Sequence, residues 1–134
     1  MSNSVHRFWD LPSSDNGSLG DWKTSVFEQI RTTTSTLFEA AAREQMIHFQ
    51  TLPNAFEVFG VDWLVDEAAN VWLLEVNAFP DFKQSGDASK GLVADFWKAA
   101  IQIAVAPFFG VYQNISPIPS SSMVKALDID LGRR

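Results

Sequence analysis

Two short apolar runs around a polar pentapeptide constrain this chain more than any other feature. FEVFGVDWLV, Phe56 to Val65, and VWLLEVN, Val71 to Asn77, flank Asp66-Glu67-Ala68-Ala69-Asn70. Runs rich in Val, Trp, Phe and Leu on either side of turn-forming residues are how a β-hairpin reads in sequence, so strands are predicted at Phe56 to Val65 and Val71 to Asn77. Pairing Asp66 with Val71 across a four-residue loop, a common hairpin connection, sets Asp62 opposite Glu75 and Gly60 opposite Asn77. Register also assigns the faces, because a slip by one residue moves every side chain to the other side. One face then holds Phe59, Val61, Trp63, Val65, Trp72, Leu74 and Val76 and is expected to be core. The other holds Gly60, Asp62, Glu75 and Asn77, with Phe56, Val58, Leu64 and Leu73 at its rim.

Two carboxylates directly across a sheet repel each other, at a cost of roughly 0.2–1 kcal/mol for a cross-strand pair. A divalent cation between them turns that repulsion into binding. Mg²⁺ takes hard oxygen donors, typically one or two carboxylates with substrate phosphates and water, and Asp62, Glu75 and the Asn77 carbonyl supply such donors. Gly60 is expected to leave room for an ion or phosphate near the backbone. A solvated hairpin face with incidental acids is the alternative reading of the same residues.

The run Phe59-Gly60-Val61-Asp62, followed by Val71-Trp72-Leu73-Leu74-Glu75-Val76-Asn77 and Pro80, resembles the C-terminal signature of the tubulin tyrosine ligase family, a branch of the ATP-grasp ligases. In that family the matching Asp, Glu and Asn hold the magnesium ions that bridge ATP phosphates. The resemblance therefore implies metal-binding and cofactor-binding roles for Asp62, Glu75 and Asn77, with Mg²⁺ and ATP as cofactors, and assigns no catalytic residue. It runs from Phe56 to about Phe96, through Asp87 and Lys90. Pro80-Asp81-Phe82-Lys83-Gln84 is bulkier than the usual family sequence and is similar to fungal ligase-like proteins associated with P-bodies, in which such a domain follows a SurE-like phosphatase domain. Implied partners are ATP, tubulin or another protein acceptor, and P-body components. Nothing upstream of Phe56 matches the lysine-bearing strands, adenine hinge or second lobe of an ATP-grasp site. The expectation is a C-terminal portion of an ATP-grasp domain, inactive in isolation, from a ligase that joins an amino acid to a protein carboxylate through an acyl phosphate. A non-catalytic binding or scaffold module that keeps part of the fold is the alternative.

Composition bounds these readings. With 134 residues, 46% of them hydrophobic, the chain can form one core but not a two-lobed enzyme. A formal charge of −6 argues against tracking of nucleic-acid phosphates, which needs clustered Lys and Arg. The absence of cysteine excludes disulfides and thiolate metal sites. Neither an apolar run long enough for a membrane span nor a signal peptide is seen, so no membrane partner and a cytoplasmic setting are expected.

The expected organisation is a flexible segment over 1–20, a partial ATP-grasp domain over 21–113, and a linker and tail over 114–134. The fold class is α+β: an antiparallel hairpin packed against two helices. The first helix is predicted from Asp21 to Gln50, with Trp22, Val26, Ile30, Leu37, Ala41 and Met46 in one buried stripe beside Phe27 and Phe38. Thr32 to Thr36 is poor for helix at its centre, and Pro53 ends the segment. A second helix, from Ser89 to Phe108, is apolar over more than half its girth and is expected to be buried, with Gly110 as its stop. Met123 to Leu131 reads as a short strand or docking segment, and Asp128-Ile129-Asp130 alternates like an exposed edge strand. His6 and His48 lack metal-ligand spacing. Lys83 and Lys90 are solvated cations or phosphate contacts. Asn114-Ile115-Ser116 fits a glycosylation sequon but carries little without a secretion signal.

Overall fold

The computed structural model describes residues 6–12, 22–82, 90–111 and 123–132. They form a small α+β unit of two helices and one two-stranded antiparallel sheet. Helix α1 spans Trp22–Glu44. It runs unbroken through the threonines, where Thr36 Oγ1 donates back to the Thr32 carbonyl at 3.1 Å. Packing overrides weak propensity here: Val26 and Ala42 are buried, and the Trp22, Ile30, Leu37 and Ala41 positions of the expected stripe are half-buried.

The helix stops at Glu44, six residues before the predicted Gln50, and Met46 lies outside it and exposed. Aromatic packing supplies the reason. Phe49 sits 6.0 Å from Phe38 and 6.1 Å from Phe59, and Phe38 sits 5.3 Å from Phe59, centroid to centroid. A helix continued to Phe49 would carry it about 16 Å along the axis from Phe38, at about 1.5 Å per residue. The chain must turn back to close the trio. It does so with the Phe49 N–H donating to the Gln45 carbonyl at 2.7 Å and Asn54 at a positive φ of 59°.

Strands β1 (Gly60–Val65) and β2 (Val71–Asn77) form the hairpin. The predicted start at Phe56 is four residues early, because β2 cannot extend to pair with it: the chain leaves the ladder at Ala78 and reaches Pro80, which has no N–H to donate. The base register is the predicted one, with Gly60 opposite Asn77 and Asp62 opposite Glu75. The tip is not. Val65 pairs with Val71 around a five-residue loop, Leu64 with Trp72 and Trp63 with Leu73, so Leu74 is an extra residue in β2, a β-bulge. The bulge reverses three face assignments. Leu73 joins Val61 and Trp63 on the half-buried face, while Trp72 and Leu74, expected in the core, are 57% and 61% exposed. The space beside Gly60 belongs to the protein itself, since a Cβ there would lie 3.1 Å from the Pro80 Cβ.

Helix α2 spans Lys90–Ala100 and passes into a π-helical turn over Ile101–Val105. Pro107 explains the widening. It has no N–H, and its ring crowds the carbonyl four residues back, so the preceding turn opens and Ala106 N–H reaches the Ile101 carbonyl at 2.9 Å. Gly110, at a φ of 66°, ends the segment as expected. Gly110 N–H donates to Pro107 and Val111 N–H to Ala106, the paired bonds of a Schellman cap. Burial of this helix is not observed. Ala99 and Ala106 are buried, but Leu92, Ile101, Ile103, Phe108 and Phe109 are exposed. Its tie to the hairpin strands is Phe82, five residues beyond β2, whose ring lies 5.5 Å from both Phe96 and Trp97. The hairpin packs chiefly on α1.

Within the segment 1–20, the described residues 6–12 contain a 3₁₀ turn at Phe8–Asp10. Phe8 packs edge-on against Trp22 at 5.8 Å, Trp9 lies 5.6 Å from Phe27, and Lys23 Nζ donates to the Trp9 carbonyl at 2.8 Å. At the other end, Met123 to Leu131 forms no strand and docks without a ladder. Leu127, Ile129 and Leu131 turn toward Phe38, Ala42 and Pro53 around a cavity of about 490 Å³, while Asp128 and Asp130 face solvent.

Candidate metal and phosphate site

Asp62 in β1 and Glu75 in β2 are direct cross-strand partners, and Asn77 follows two residues on, opposite Gly60. Alternation along each strand puts all three side chains on one face. The Asn77 Nδ2 donates to Glu75 Oε1 at 3.0 Å, which commits the amide's NH₂ and leaves its carbonyl oxygen as the donor for a cation. All three residues are exposed. The donor set is one Asp, one Glu and one Asn, all hard oxygens, and fits Mg²⁺ completed by phosphate oxygens and water. Among the described residues, no group of three or more His, Asp or Glu side chains could hold a metal by itself. The two carboxylates therefore need the amide, or a ligand's own oxygens, to complete a coordination sphere.

The hairpin tip is organised by a residue the sequence reading passed over. Asp66 Oδ1 accepts the backbone N–H groups of Ala68 at 3.0 Å and Asn70 at 2.8 Å, and Oδ2 accepts Asn70 Nδ2 at 2.9 Å and Trp72 Nε1 at 3.2 Å. The Asn70 bonds, with smaller help from Trp72 and Ala68, hold the Asp66 carboxyl below its ordinary value of 3.8. Asp66 with Asn70 four residues on was a readable signal, since Asp side chains bond backbone N–H groups a few residues ahead in turns. Gln29 of α1 was also missed. Its Nε2 donates to the Ala69 carbonyl at 2.9 Å and its Oε1 accepts the Val71 N–H at 3.2 Å. No local pattern could have found it, because a glutamine on a helix reads as solvated until its partner is known.

Lys90 opens α2, whereas Lys83, Asp87 and the Asn114 sequon lie outside the described residues. A cavity of about 510 Å³ is lined by Phe38, His48, Phe49 and Phe59 among others, and by none of Asp62, Glu75 or Asn77. No described helix is long and apolar enough to cross a membrane.

The chain is 43% identical over 106 residues to "Probable tubulin–tyrosine ligase" of Schizosaccharomyces pombe, covering 79% of this chain and 25% of that protein. It is 44% identical over 92 residues to a protein of the same description from Saccharomyces cerevisiae, covering 69% of this chain and 12% of that protein. "Probable alpha-tubulin polyglutamylase" of Tetrahymena thermophila is 36% identical over 78 residues, covering 58% of this chain and 19% of that protein. The chain thus spans a quarter or less of the length of each of these relatives. The family model described as "Tubulin-tyrosine ligase family" matches residues 2–111, most of the sequence and every element from the Phe8 turn through the π-helical turn; the chain belongs to the tubulin-tyrosine ligase family.

Proposed function

We infer that this chain supplies the metal-binding hairpin of an ATP- and Mg²⁺-dependent ligase of the tubulin tyrosine ligase type, within the C-terminal portion of an ATP-grasp domain. The reaction is ligation of an amino acid to a protein carboxylate through an acyl phosphate. The observation that carries this reading is the pairing of Asp62 with Glu75, with Asn77 bonded to Glu75 on the same face. Asp62 and Glu75 hold the cation from opposite strands, and Asn77 orients Glu75 while offering its carbonyl oxygen. Bound magnesium supplies charge neutralisation for the ATP phosphates during phosphoryl transfer. Because these side chains lie on an open face, ATP is positioned only when a further surface closes over it, and phosphoryl-transfer catalysis consists almost entirely of positioning and electrostatic stabilisation. The chain alone binds metal and does not turn over ATP. Acceptors are tubulin or another protein, in a cytoplasmic setting that includes P-body components.

Calorimetric titration of the chain with Mn²⁺, with and without ATP, tests the reading. Asp62→Asn and Glu75→Gln should each weaken metal binding by about tenfold or more, on the scale of about 1.4 kcal/mol per decade. Unchanged binding in both variants would remove the site. Metal-dependent ADP formation by the isolated chain that vanishes on Glu75→Gln would show the chain to be catalytic. The second reading, a binding or scaffold module without catalysis, is favoured by the openness of the face itself. It predicts that Asp62→Asn and Glu75→Gln leave all partner binding intact.

A further inference from the structure

The pairing of Gly60 with Asn77 is the last rung at the base of the hairpin, since β1 begins at Gly60 and β2 ends at Asn77. End rungs fray, because no further rung closes beyond them. Asn77 nevertheless has to hold its amide on Glu75 Oε1 at 3.0 Å and keep its carbonyl oxygen within reach of a cation shared with Asp62. The two residues that follow offer no packing to fix this end: Ala78 is exposed and Phe79 is 94% exposed. Pro80 is the first residue after Asn77 to be half-buried.

Pro80 folds back onto Gly60. A Cβ built on Gly60 would lie 3.1 Å from the Pro80 Cβ and 3.8 Å from both the Pro80 Cα and the Asn77 Cβ. Carbon atoms pack at about 3.5–4.0 Å, so any side chain at position 60 would have to displace the proline. That side chain would point to the face of Asp62, because residues two apart in a strand share a face. Pro80 therefore takes the place of a side chain beside Asn77 at the end of the cluster. Its ring fixes its own φ and holds the preceding Phe79 to extended conformations. Only Ala78 keeps ordinary backbone freedom between the rung and its anchor.

We propose that Pro80, seated in the space that Gly60 leaves, is a positioning residue for Asn77 in the cation cluster. It acts on the end rung alone: Asp62 and Glu75 are paired two residues inside the ladder and hold their register without it. The consequence for metal binding rests on the metal reading above, and the consequence for the rung rests on the packing of Pro80 against Gly60.

The test uses the full chain and Mn²⁺ alone as probe. Electron paramagnetic resonance measures the free Mn²⁺ remaining, and cross-strand NOEs report the Gly60–Asn77 and Asp62–Glu75 rungs. Pro80→Gly should lose the Gly60–Asn77 NOEs, keep those of Asp62 with Glu75, and bind Mn²⁺ about tenfold more weakly, the scale of a lost supporting group. Gly60→Ala should also weaken binding by pushing Pro80 away. Added to Pro80→Gly it should weaken binding no further, because the clash has gone. Since Pro80 acts through Asn77, Pro80→Gly should change nothing in a chain that already carries Asn77→Ala, whereas a general loosening of the hairpin lowers affinity in both backgrounds. Unchanged Mn²⁺ uptake or unchanged Gly60–Asn77 NOEs in Pro80→Gly overturns the proposal, and so does an equal loss with and without the Asn77 side chain. If the wild type takes up no Mn²⁺, the metal reading fails, and persistence of the Gly60–Asn77 NOEs in Pro80→Gly still decides against the role of Pro80. If Pro80→Gly does not fold, wild-type NOEs and Mn²⁺ uptake in Gly60→Ala overturn the proposal.

Discussion

The α1–hairpin half and the α2 half of this chain are both rich in apolar residues, yet they spend them differently. On α1, Val26 is fully buried, and Phe38, Phe49 and Phe59 close a ring cluster against the hairpin. Gln29 and Asp66 add polar bonds at the hairpin tip. On α2 and its π-helical extension, Ile103, Phe108 and Phe109 are 55%, 62% and 68% exposed. Apolar content therefore does not by itself make a core. Burial follows where complementary side chains and directional bonds meet, and the ring that packs on α2 from outside it among the described residues is Phe82.

The sharpest way to break this comparison is to place a carboxylate in each half. Val26→Asp buries an unpaired charge and should cost on the order of 3 kcal/mol or more, read as loss of the cooperative urea transition. Ile103→Asp should change stability by no more than about 0.5 kcal/mol and shift the chain toward monomer in size-exclusion chromatography with light scattering. The wild type, with its contiguous exposed apolar side chains, should self-associate at micromolar concentration. A monodisperse wild type that binds no hydrophobic dye would show α2 to be adequately covered.

Phe38→Ala should come next, removing two ring contacts and costing about 2–3 kcal/mol in chemical denaturation. Phe108→Ala, whose ring contact is with its neighbour Phe109, should cost a fraction of that. Equal effects would erase the distinction between the halves.

A gain of stability is expected at the hairpin tip. Ala69 sits at a φ of 61°, a conformation that costs an L-residue about 1–2 kcal/mol and glycine little. Ala69→Gly should raise the unfolding free energy by up to about 1 kcal/mol after its larger unfolded-state entropy is counted, read as a higher urea midpoint.

The smallest effect is acid dependence. The bonds from Asn70 lower the Asp66 pKa in the folded chain, so the ionised form is favoured by folding. This contribution is complete above the unfolded value near 3.8 and fades as pH falls through the lower folded value. The bond and charge of Lys125 lower Asp128 in the same way, so both act in one acid window. Asp66→Asn should flatten part of the stability decline below about pH 4 and Asp128→Asn another part. A decline unaltered by both would assign it elsewhere.

What was legible in the sequence follows the range of the interactions. The base of the hairpin could be read because Asp62, Glu75 and Asn77 alternate with apolar neighbours, and only one register puts them together. The tip could not, because four- and five-residue loops both suit the segment from Asp66 to Asn70, and the five-residue form is closed by the Asp66 N–H to Asn70 carbonyl bond and the Asp66 carboxylate. The true end of α1 was hidden for the same reason: Glu44 is its last residue because Phe49 returns to Phe38. Gly110 was legible since a left-handed cap is a local requirement. The exposure of α2 was not, because periodicity reports an apolar surface and is silent about what lies against it.

The docked segment from Met123 to Leu131 has a consequence in effective concentration. It is covalently joined to the groove it fills, and its hold there is by apolar side chains without a strand ladder. A tether of this kind presents a segment to its own site at roughly millimolar concentration. Leu127, Ile129 and Leu131 can therefore stay seated with an intrinsic affinity too weak to detect between separate molecules. Any free peptide of similar pattern must exceed that local concentration before it can take their place beside Phe38 and Ala42.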